Sequence, residues 1–149
     1  MYPIVLILHV LGATVWTGGH LVLAISWLPR ALRTRSVDAL RAYEDGFERV
    51  GIPALVTQVV TGLWLADRWL GGLRRLPALE TPHAHGVALK LGLLALTVLL
   101  ALDARLRIIP KLRSDNLGAL AWHIIPVTVV SVLFVAAGVW MRTGALWVR

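Results

Sequence analysis

The stretch that decides the fold is IVLILHVLGATVWTGGHLVLAISWL, from Ile4 to Leu28, which contains no Asp, Glu, Lys or Arg. At about 1.5 Å per residue it forms a helix of roughly 37 Å, enough to cross a hydrocarbon core of about 30 Å. His9 and His20 lie within it, about three helical turns apart and therefore on one face. Because an imidazole inside a membrane is costly without a partner, both are candidate functional residues.

The composition indicates an integral membrane protein. Hydrophobic residues make up 58% of the 149 residues and charged residues only 15%, whereas soluble domains carry about a quarter charged residues. The chain has no Cys, which excludes disulfides and thiolate metal sites, and its two Met argue against a methionine-lined path for Cu(I). The net charge is +7, and the basic residues flank the apolar runs, as is typical of residues that orient a protein in the membrane. Nucleic acid is therefore not the expected partner.

Four apolar segments predict an all-α, integral membrane, four-helix up-down bundle, with a single domain over residues 1–149. The predicted helices cover about residues 3–28, 51–70, 83–107 and 117–141. Pro29 is expected to end the first helix. The polar segment from Ser36 to Val50 either extends the second helix or lies along the membrane surface, with Ser36 as its cap. Tryptophans near the expected interfaces are Trp64, Trp69, Trp140 and Trp147.

The basic residues predict the orientation of the bundle. One side carries nine of them, namely Arg30, Arg33, Arg35, Arg41, Arg49, Arg105, Arg107, Lys111 and Arg113. The other side carries five, namely Arg68, Arg74, Arg75, Arg142 and Arg149. Because the more basic side faces the cytoplasm, both termini are expected outside the cytoplasm of a bacterial-type inner (plasma) membrane.

This topology divides the five histidines into two layers. The outer group contains His9, His83 and His85, and the inner pair contains His20 and His123. Imidazoles from facing helices in an apolar bundle suit the iron of a b-type haem. The sequence therefore predicts one or two haems, with His9 and either His85 or His83 at the outer site and His20 with His123 at the inner site.

Other residues complete this predicted cofactor site, and each has an alternative interpretation. Gly12, Trp16 and Gly19 lie on or beside the histidine stripe, where glycines allow a porphyrin close approach, or simply allow two helices to pack closely. Lys90 or an outer arginine is expected to pair with haem propionates; alternatively, Lys90 extends its amine to the interface. A single membrane histidine also serves as a hydrogen-bonding residue between helices.

Three segments resemble the copper-resistance-D (CopD) membrane domain and the related HemJ-type protoporphyrinogen oxidases. They are LHVLGATVWTGGHLVL at 8–23, GIPALVTQVVTGLWLA at 51–66 and HGVALKLGLLALTVLLALDARL at 85–106. The resemblance implies a small helical membrane bundle, with the functional His and Lys of the HemJ type mapping onto His9 and Lys90. The His-x-Lys of that type is spaced out here to His85 and Lys90. For the CopD type the resemblance implies copper uptake across the inner membrane.

Two main functional hypotheses follow. The first is a bis-histidine b-type haem protein that transfers electrons in the membrane or acts as a haem-dependent oxidoreductase, with a quinone or another cytochrome as redox partner. The alternative is a copper-binding or copper-transport protein of the CopD type, with histidines as ligands. A third hypothesis is a small subunit that packs against a larger respiratory complex. The lipid bilayer is the expected surrounding in each case, and a homo-oligomer is compatible with all three.

Overall fold

The computed structural model describes residues 1–144. Trp147, a predicted interface residue, and Arg149, one of the basic residues used to predict the orientation, lie outside the described part of the chain. Four long helices make up the fold: α1 Tyr2–Thr34, α2 Val37–Leu70, α3 Pro82–Lys111 and α4 Leu117–Thr143. They contain 33, 34, 30 and 27 residues, and each is long and apolar enough to cross a membrane. A short 3₁₀ helix, Leu73–Ala78, lies between α2 and α3. The protein is a multi-pass, all-α membrane bundle, which confirms the predicted fold class.

Contacts between helix ends show that neighbouring helices run antiparallel. The Tyr2 hydroxyl at the start of α1 accepts hydrogen bonds from Trp69 Nε1 near the end of α2 (3.2 Å) and from Arg142 Nη1 near the end of α4 (3.1 Å). His83 at the start of α3 lies edge-on to Trp69. We call this the terminal end of the bundle. At the opposite, basic end, Arg105 of α3 forms an ion pair with Glu48 of α2.

The first helix continues past Pro29 to Thr34, so the prediction that this proline ends it is wrong. A proline lacks an N–H, and its ring clashes with the carbonyl four residues earlier. In α1 that carbonyl belongs to Ile25, inside a π-helical segment at Leu23–Trp27. The wider π turn relieves the clash and lets the helix continue. Pro110 of α3 follows the π-helical segment Ala104–Ile108 in the same way.

The second helix begins well before the predicted residue 51. Its N-cap is Ser36, whose Oγ accepts a hydrogen bond from the Ala39 N–H at 3.3 Å. The polar segment is therefore an extension of α2, one of the two predicted alternatives. At about 1.5 Å per residue, α2 is longer than a hydrocarbon core is thick, so its charged first turns extend beyond the membrane at the basic end.

The helices pack around two separate apolar clusters. The cluster at the basic end includes Leu28, Ala31, Leu40 and Leu120, whose exposed fractions are 3% or less. The cluster at the terminal end is smaller and consists of Ala66, Leu70, Ala84 and Val87. The basic end is therefore closely packed, whereas the terminal half of the bundle encloses a cavity.

Small and hydroxyl-bearing residues join α1 to α4. Thr17 Oγ1 donates to the carbonyl oxygen of Ser131 at 3.2 Å, and Thr128 Oγ1 lies 3.2 Å from the carbonyl oxygen of His20. Thr17, Thr128 and Ser131 are buried. Hydroxyl groups that bond to backbone carbonyls hold membrane helices together where lipid offers no hydrophobic driving force. These hydrogen bonds hold α1 beside α4 and orient the face of α1 that carries His9.

Candidate functional site

A cavity of about 440 Å³ lies in the terminal half of the bundle, with residues of all four helices in its walls. We call it the terminal cavity. Most of the lining is aliphatic or aromatic. The polar and sulfur-containing side chains relevant to its chemistry are His9, Gln58, Lys90, Met141 and Arg142. A volume of this size falls within the usual range for small-molecule sites.

His9 is the histidine that reaches from one helix to another in this cavity. Its Nδ1 lies 2.9 Å from the carbonyl oxygen of Gln58 and 3.1 Å from Thr61 Oγ1, both on α2. A carbonyl oxygen only accepts, so Nδ1 carries the proton and donates it. In that neutral tautomer the lone pair resides on Nε2. A metal-binding histidine is oriented in this way, by a hydrogen bond from the nitrogen that does not bind the metal.

Gly62 provides the space that the His9 ring occupies. A Cβ at position 62 would lie 2.9 Å from Cε1 of His9 and 3.4 Å from its Nδ1. One turn earlier, Gln58 Oε1 is buried and has no hydrogen-bond partner within residues 1–144. A buried amide oxygen without a partner is unfavourable. The wall beside His9 therefore combines an imidazole whose Nε2 has no hydrogen bond within the described residues with a buried amide oxygen that lacks a partner.

Lys90 of α3 also lines the terminal cavity and extends towards α4. Its Nζ lies 3.2 Å from where a Cβ at Gly138 would be, so the absence of a side chain at Gly138 admits the amine. Within the described residues, no hydrogen bond or ion pair involves Lys90, and no carboxylate lines the cavity. Arg142 adds a second cation at the terminal end. The cavity is thus apolar with a positively charged region.

Met141 contributes a thioether to the same cavity. It packs over Gly86 of α3, where a Cβ would lie 2.6 Å from its Cγ and 2.8 Å from its Sδ. It is the one methionine of the chain besides Met1. A methionine-poor composition argues against a long Cu(I) path, but it does not prevent one thioether from lining the cavity that contains His9.

His20 lies among aromatic rings, away from the terminal cavity. Its Nδ1 donates to the carbonyl oxygen of Trp16 at 2.9 Å, one turn earlier on α1. Its ring centroid lies 4.4 Å from that of Trp16 and 5.4 Å from that of Phe47. Tyr43 continues the aromatic cluster and donates from its hydroxyl to the carbonyl oxygen of Gly19 at 2.6 Å. His20 thus packs between α1 and α2.

His123, the predicted inner partner of His20, contacts α3 instead. Its Nε2 lies 2.7 Å from Asp103 Oδ2, and its Nδ1 lies 3.1 Å from the carbonyl oxygen of Ala119. Arg107 donates to the other carboxylate oxygen of Asp103 at 2.9 Å. Because both ring nitrogens are engaged with oxygen atoms, neither is open to a metal ion. The structure gives the two inner histidines different neighbours.

The outer histidines are also separated. His85 is exposed, and its Nδ1 donates to the carbonyl oxygen of Thr81 at 3.0 Å. His83 is exposed and lies edge-on to Trp69. Among the residues that the structure describes, His9 is the one histidine in the lining of the terminal cavity. The predicted companions of His9 at an outer haem lie outside that lining.

The predicted wall of Gly12, Trp16 and Gly19 mainly contacts α2. A Cβ at Gly12 would lie 2.8 Å from the carbonyl oxygen of Ala54, and a Cβ at Gly19 would overlap the Phe47 ring. Trp16 lines the terminal cavity and also contacts His20. The two glycines thus allow α1 and α2 to approach closely, which is the alternative that the sequence left open for them.

Sequence reasoning missed several residues of the site. Thr61 and Gly62 of α2 were not among the candidate residues, yet they orient and accommodate His9. Asp103 was not among them either, yet it bonds to His123. The sequence shows that these residues lie on helix faces formed by polar or small side chains. It does not show which neighbouring helix each face contacts. Throughout residues 1–144, no group of three or more His, Cys, Asp or Glu side chains forms a candidate metal site.

In a comparison with known protein families, residues 41–141 match the family described as "Copper resistance protein D" (CopD). The chain belongs to the CopD family. The matched region covers α3, nearly all of α4 and most of α2, including Gln58, Thr61 and Lys90. No curated protein and no solved structure matches the chain. The CopD resemblance is therefore confirmed, whereas the likeness to HemJ-type oxidases stays a prediction.

Proposed function

We propose that this CopD-family protein handles copper in the membrane and binds a copper ion, as cargo, in the terminal cavity. The observation that carries the proposal is the orientation of His9. Gln58 and Thr61 hold its Nδ1, which leaves the Nε2 lone pair for a ligand. Neutral imidazole held by a hydrogen bond at its other nitrogen is a common copper ligand.

The other soft donor in the cavity fits copper that is held briefly. The thioether of Met141 is a soft ligand suited to Cu(I). Met141 and His9 would hold the ion. The described residues contain no cluster of three or more His, Cys, Asp or Glu side chains. A small donor set favours a cargo that must be released over a permanently bound cofactor.

Haem is the less favoured ligand. A bis-histidine haem requires two imidazoles that face each other across the iron. His9 lines the terminal cavity, whereas His83 and His85 are exposed and outside its lining. At the basic end, His20 contacts Phe47 and His123 contacts Asp103. Membership of the CopD family supports copper and offers no corresponding support for haem.

The distribution of basic residues supports an orientation for this function. Arginines and lysines are concentrated at the basic end, which faces the cytoplasm in the proposed arrangement. The terminal cavity then lies in the outer half of a bacterial inner membrane. A copper ion would enter it from the non-cytoplasmic side.

The test is a Cu(I) competition titration of the purified protein against a chromophoric chelator. We expect one copper per chain for the wild type and at least about tenfold weaker binding for His9→Ala, since even outer partners of metal ligands contribute about 10- to 100-fold. Met141→Leu should weaken binding while conserving volume. His85→Ala is the matched control, because His85 is exposed and outside the cavity lining, and it should bind as the wild type does.

Two outcomes would contradict the proposal. One is unchanged copper affinity in His9→Ala. The other is a haem absorption band, at one or more haems per chain, that disappears in His9→Ala. The second result would replace copper with haem as the ligand of His9, and an absorption spectrum recorded on the same sample decides it.

A further inference from the structure

The terminal cavity contains a positive charge that copper handling does not require. Lys90 projects into the bundle between α3 and α4, and no hydrogen bond or ion pair to it occurs within residues 1–144. An unpaired ammonium among apolar walls is unfavourable, and intramembrane cations are normally paired. Lys90 would repel a copper cation in the same cavity. The residue therefore requires a partner of its own.

The placement of Lys90 argues against simple extension of its amine to the membrane surface. Its Nζ reaches the backbone of α4 at Gly138, where a Cβ would approach to 3.2 Å. Lys90 and His9 also line the same cavity. Both observations place the amine inside the bundle, facing the cavity.

The walls of the cavity indicate the chemistry of the rest of the ligand that would pair with Lys90. Besides the few polar groups, they consist of side chains such as Leu91, Leu94 and Phe134. No carboxylate lines the cavity in the described part of the chain, so no protein anion competes for Lys90. An ion such as chloride would satisfy the charge but leave the apolar walls without contacts. A ligand with an apolar body and an acidic group satisfies both.

We infer that the terminal cavity binds an acidic amphiphile, with its carboxylate or phosphate group on Lys90 and its apolar part against the aliphatic walls. The ligand class includes free fatty acids and anionic lipids, which share this chemistry. Arg142 lies at the terminal end of the same cavity and adds positive charge on the side from which an acidic group would enter. This binding does not depend on copper.

The inference can be tested with 12-bromododecanoate, because bromine quenches nearby tryptophans and Trp16 and Trp69 line the cavity. The protein is prepared copper-free in nanodiscs, and metal analysis verifies the absence of copper. We expect saturable quenching with the acid and only linear, partition-driven quenching with 12-bromododecanol. This comparison needs no variant. Equal saturable quenching by the alcohol would overturn the inference.

Variants at Lys90 test the role assigned to its charge. Lys90→Met should weaken binding of the acid by about 10- to 100-fold, as expected for loss of a hydrogen bond between charged groups. Lys90→Arg should retain most of it. Unchanged affinity in a folded Lys90→Met protein would contradict the inference, and the acid–alcohol comparison on the wild type applies even if that variant does not fold.

Competition experiments identify the source of the acidic group. Displacement by unlabelled dodecanoate but not by dodecyl phosphate indicates a carboxylate ligand, and the reverse indicates a phosphate ligand. Displacement by acetate or inorganic phosphate at the same concentration would show that the apolar part contributes nothing, which overturns the amphiphile assignment. A copper titration of Lys90→Met is run in parallel, so loss of amphiphile binding and loss of copper binding are distinguishable.

Discussion

The Nδ1 atom of His9 lies 2.9 Å from the carbonyl oxygen of Gln58, and this contact links the only histidine in the described cavity lining to the neighbouring helix. Within α2 the same carbonyl accepts the helical N–H of Gly62, and its second lone pair is available to the imidazole. The ring can approach because Gly62 has no side chain. A single turn of α2 therefore sets the tautomer, position and orientation of His9.

Replacing Thr61 with Val tests the second hydrogen bond of this arrangement. Thr61 Oγ1 lies 3.1 Å from His9 Nδ1, and its own proton is directed to the carbonyl oxygen of Thr57 at 2.6 Å. Removing the hydroxyl leaves His9 less firmly oriented, so we expect copper affinity to fall about tenfold. Competition titration measures the change. Thr57→Val, one turn away and outside the cavity lining, should leave copper affinity unchanged; an equal loss there would assign the effect to general packing.

Gly62→Ala tests whether the space beside His9 is required. A methyl group there would approach His9 Cε1 to 2.9 Å and push the imidazole away from the Gln58 carbonyl. We expect weaker copper binding and a lower midpoint of thermal unfolding. Gly92→Ala on α3 is the matched control, because nothing lies within 4 Å of its Cβ position and alanine favours a helix over glycine. Copper affinity that is the same in both variants would show that His9 is not confined by residue 62.

Gly12→Ala tests the close approach of α1 to α2. The new Cβ would lie 2.8 Å from the backbone carbonyl oxygen of Ala54, which has no side-chain freedom with which to yield. Overpacking of this kind costs about 1–3 kcal/mol, which corresponds to roughly 2–4 °C in unfolding midpoint per kcal/mol for a chain of this size. Thermal unfolding in detergent measures it. Gly18→Ala should leave the unfolding midpoint unchanged, because nothing lies within 4 Å of its Cβ position. A similar decrease of the midpoint in both variants would refute a specific contact at Gly12.

His123→Ala separates structural from functional histidines. The contact of His123 with Asp103 joins α4 to α3 at 2.7 Å beside the π-helical segment of α3. We expect the variant to unfold at a lower temperature and to retain wild-type copper affinity, because the terminal cavity lies in the other half of the bundle. Asp103→Asn should lower the unfolding temperature similarly. In the double variant the unfolding temperature should fall by less than the sum of the two single decreases. Loss of copper binding in folded His123→Ala would contradict this separation.

The number and nature of the membrane helices could be predicted from the sequence because they depend on local properties. Charge-free apolar runs near membrane length, such as Ile4 to Leu28, predict spans wherever the rest of the chain lies. The predicted extension of α2 and its Ser36 cap also depend on local pattern. The continuation of α1 past Pro29 was missed, because periodicity does not reveal a π turn that accommodates a proline.

Only part of the candidate site could be predicted from the sequence, and the reason is physical. The sequence singles out His9 and Lys90 as candidate cofactor-binding residues, since an ionisable residue inside an apolar span stands out without knowledge of its surroundings. Both line the terminal cavity, and their role in binding stays a prediction. The pairing of His20 with His123 followed from equal depth in the membrane. Depth does not determine which face of a helix meets which neighbour, and the structure turns His20 towards Phe47 and His123 towards Asp103.

The sequence by itself determined that this chain crosses the membrane with four helices and places imidazoles and one lysine within them, because hydropathy is a property of each segment alone. Only the tertiary structure decided which imidazole faces a cavity. That outcome depends on the rotation of α1 against α2, which the close contacts at Gly12, Gly19 and Gly62 set together. Contacts between residues distant in the chain are not encoded in the periodicity of either helix, so the environment of His9 emerges only when the helices are packed.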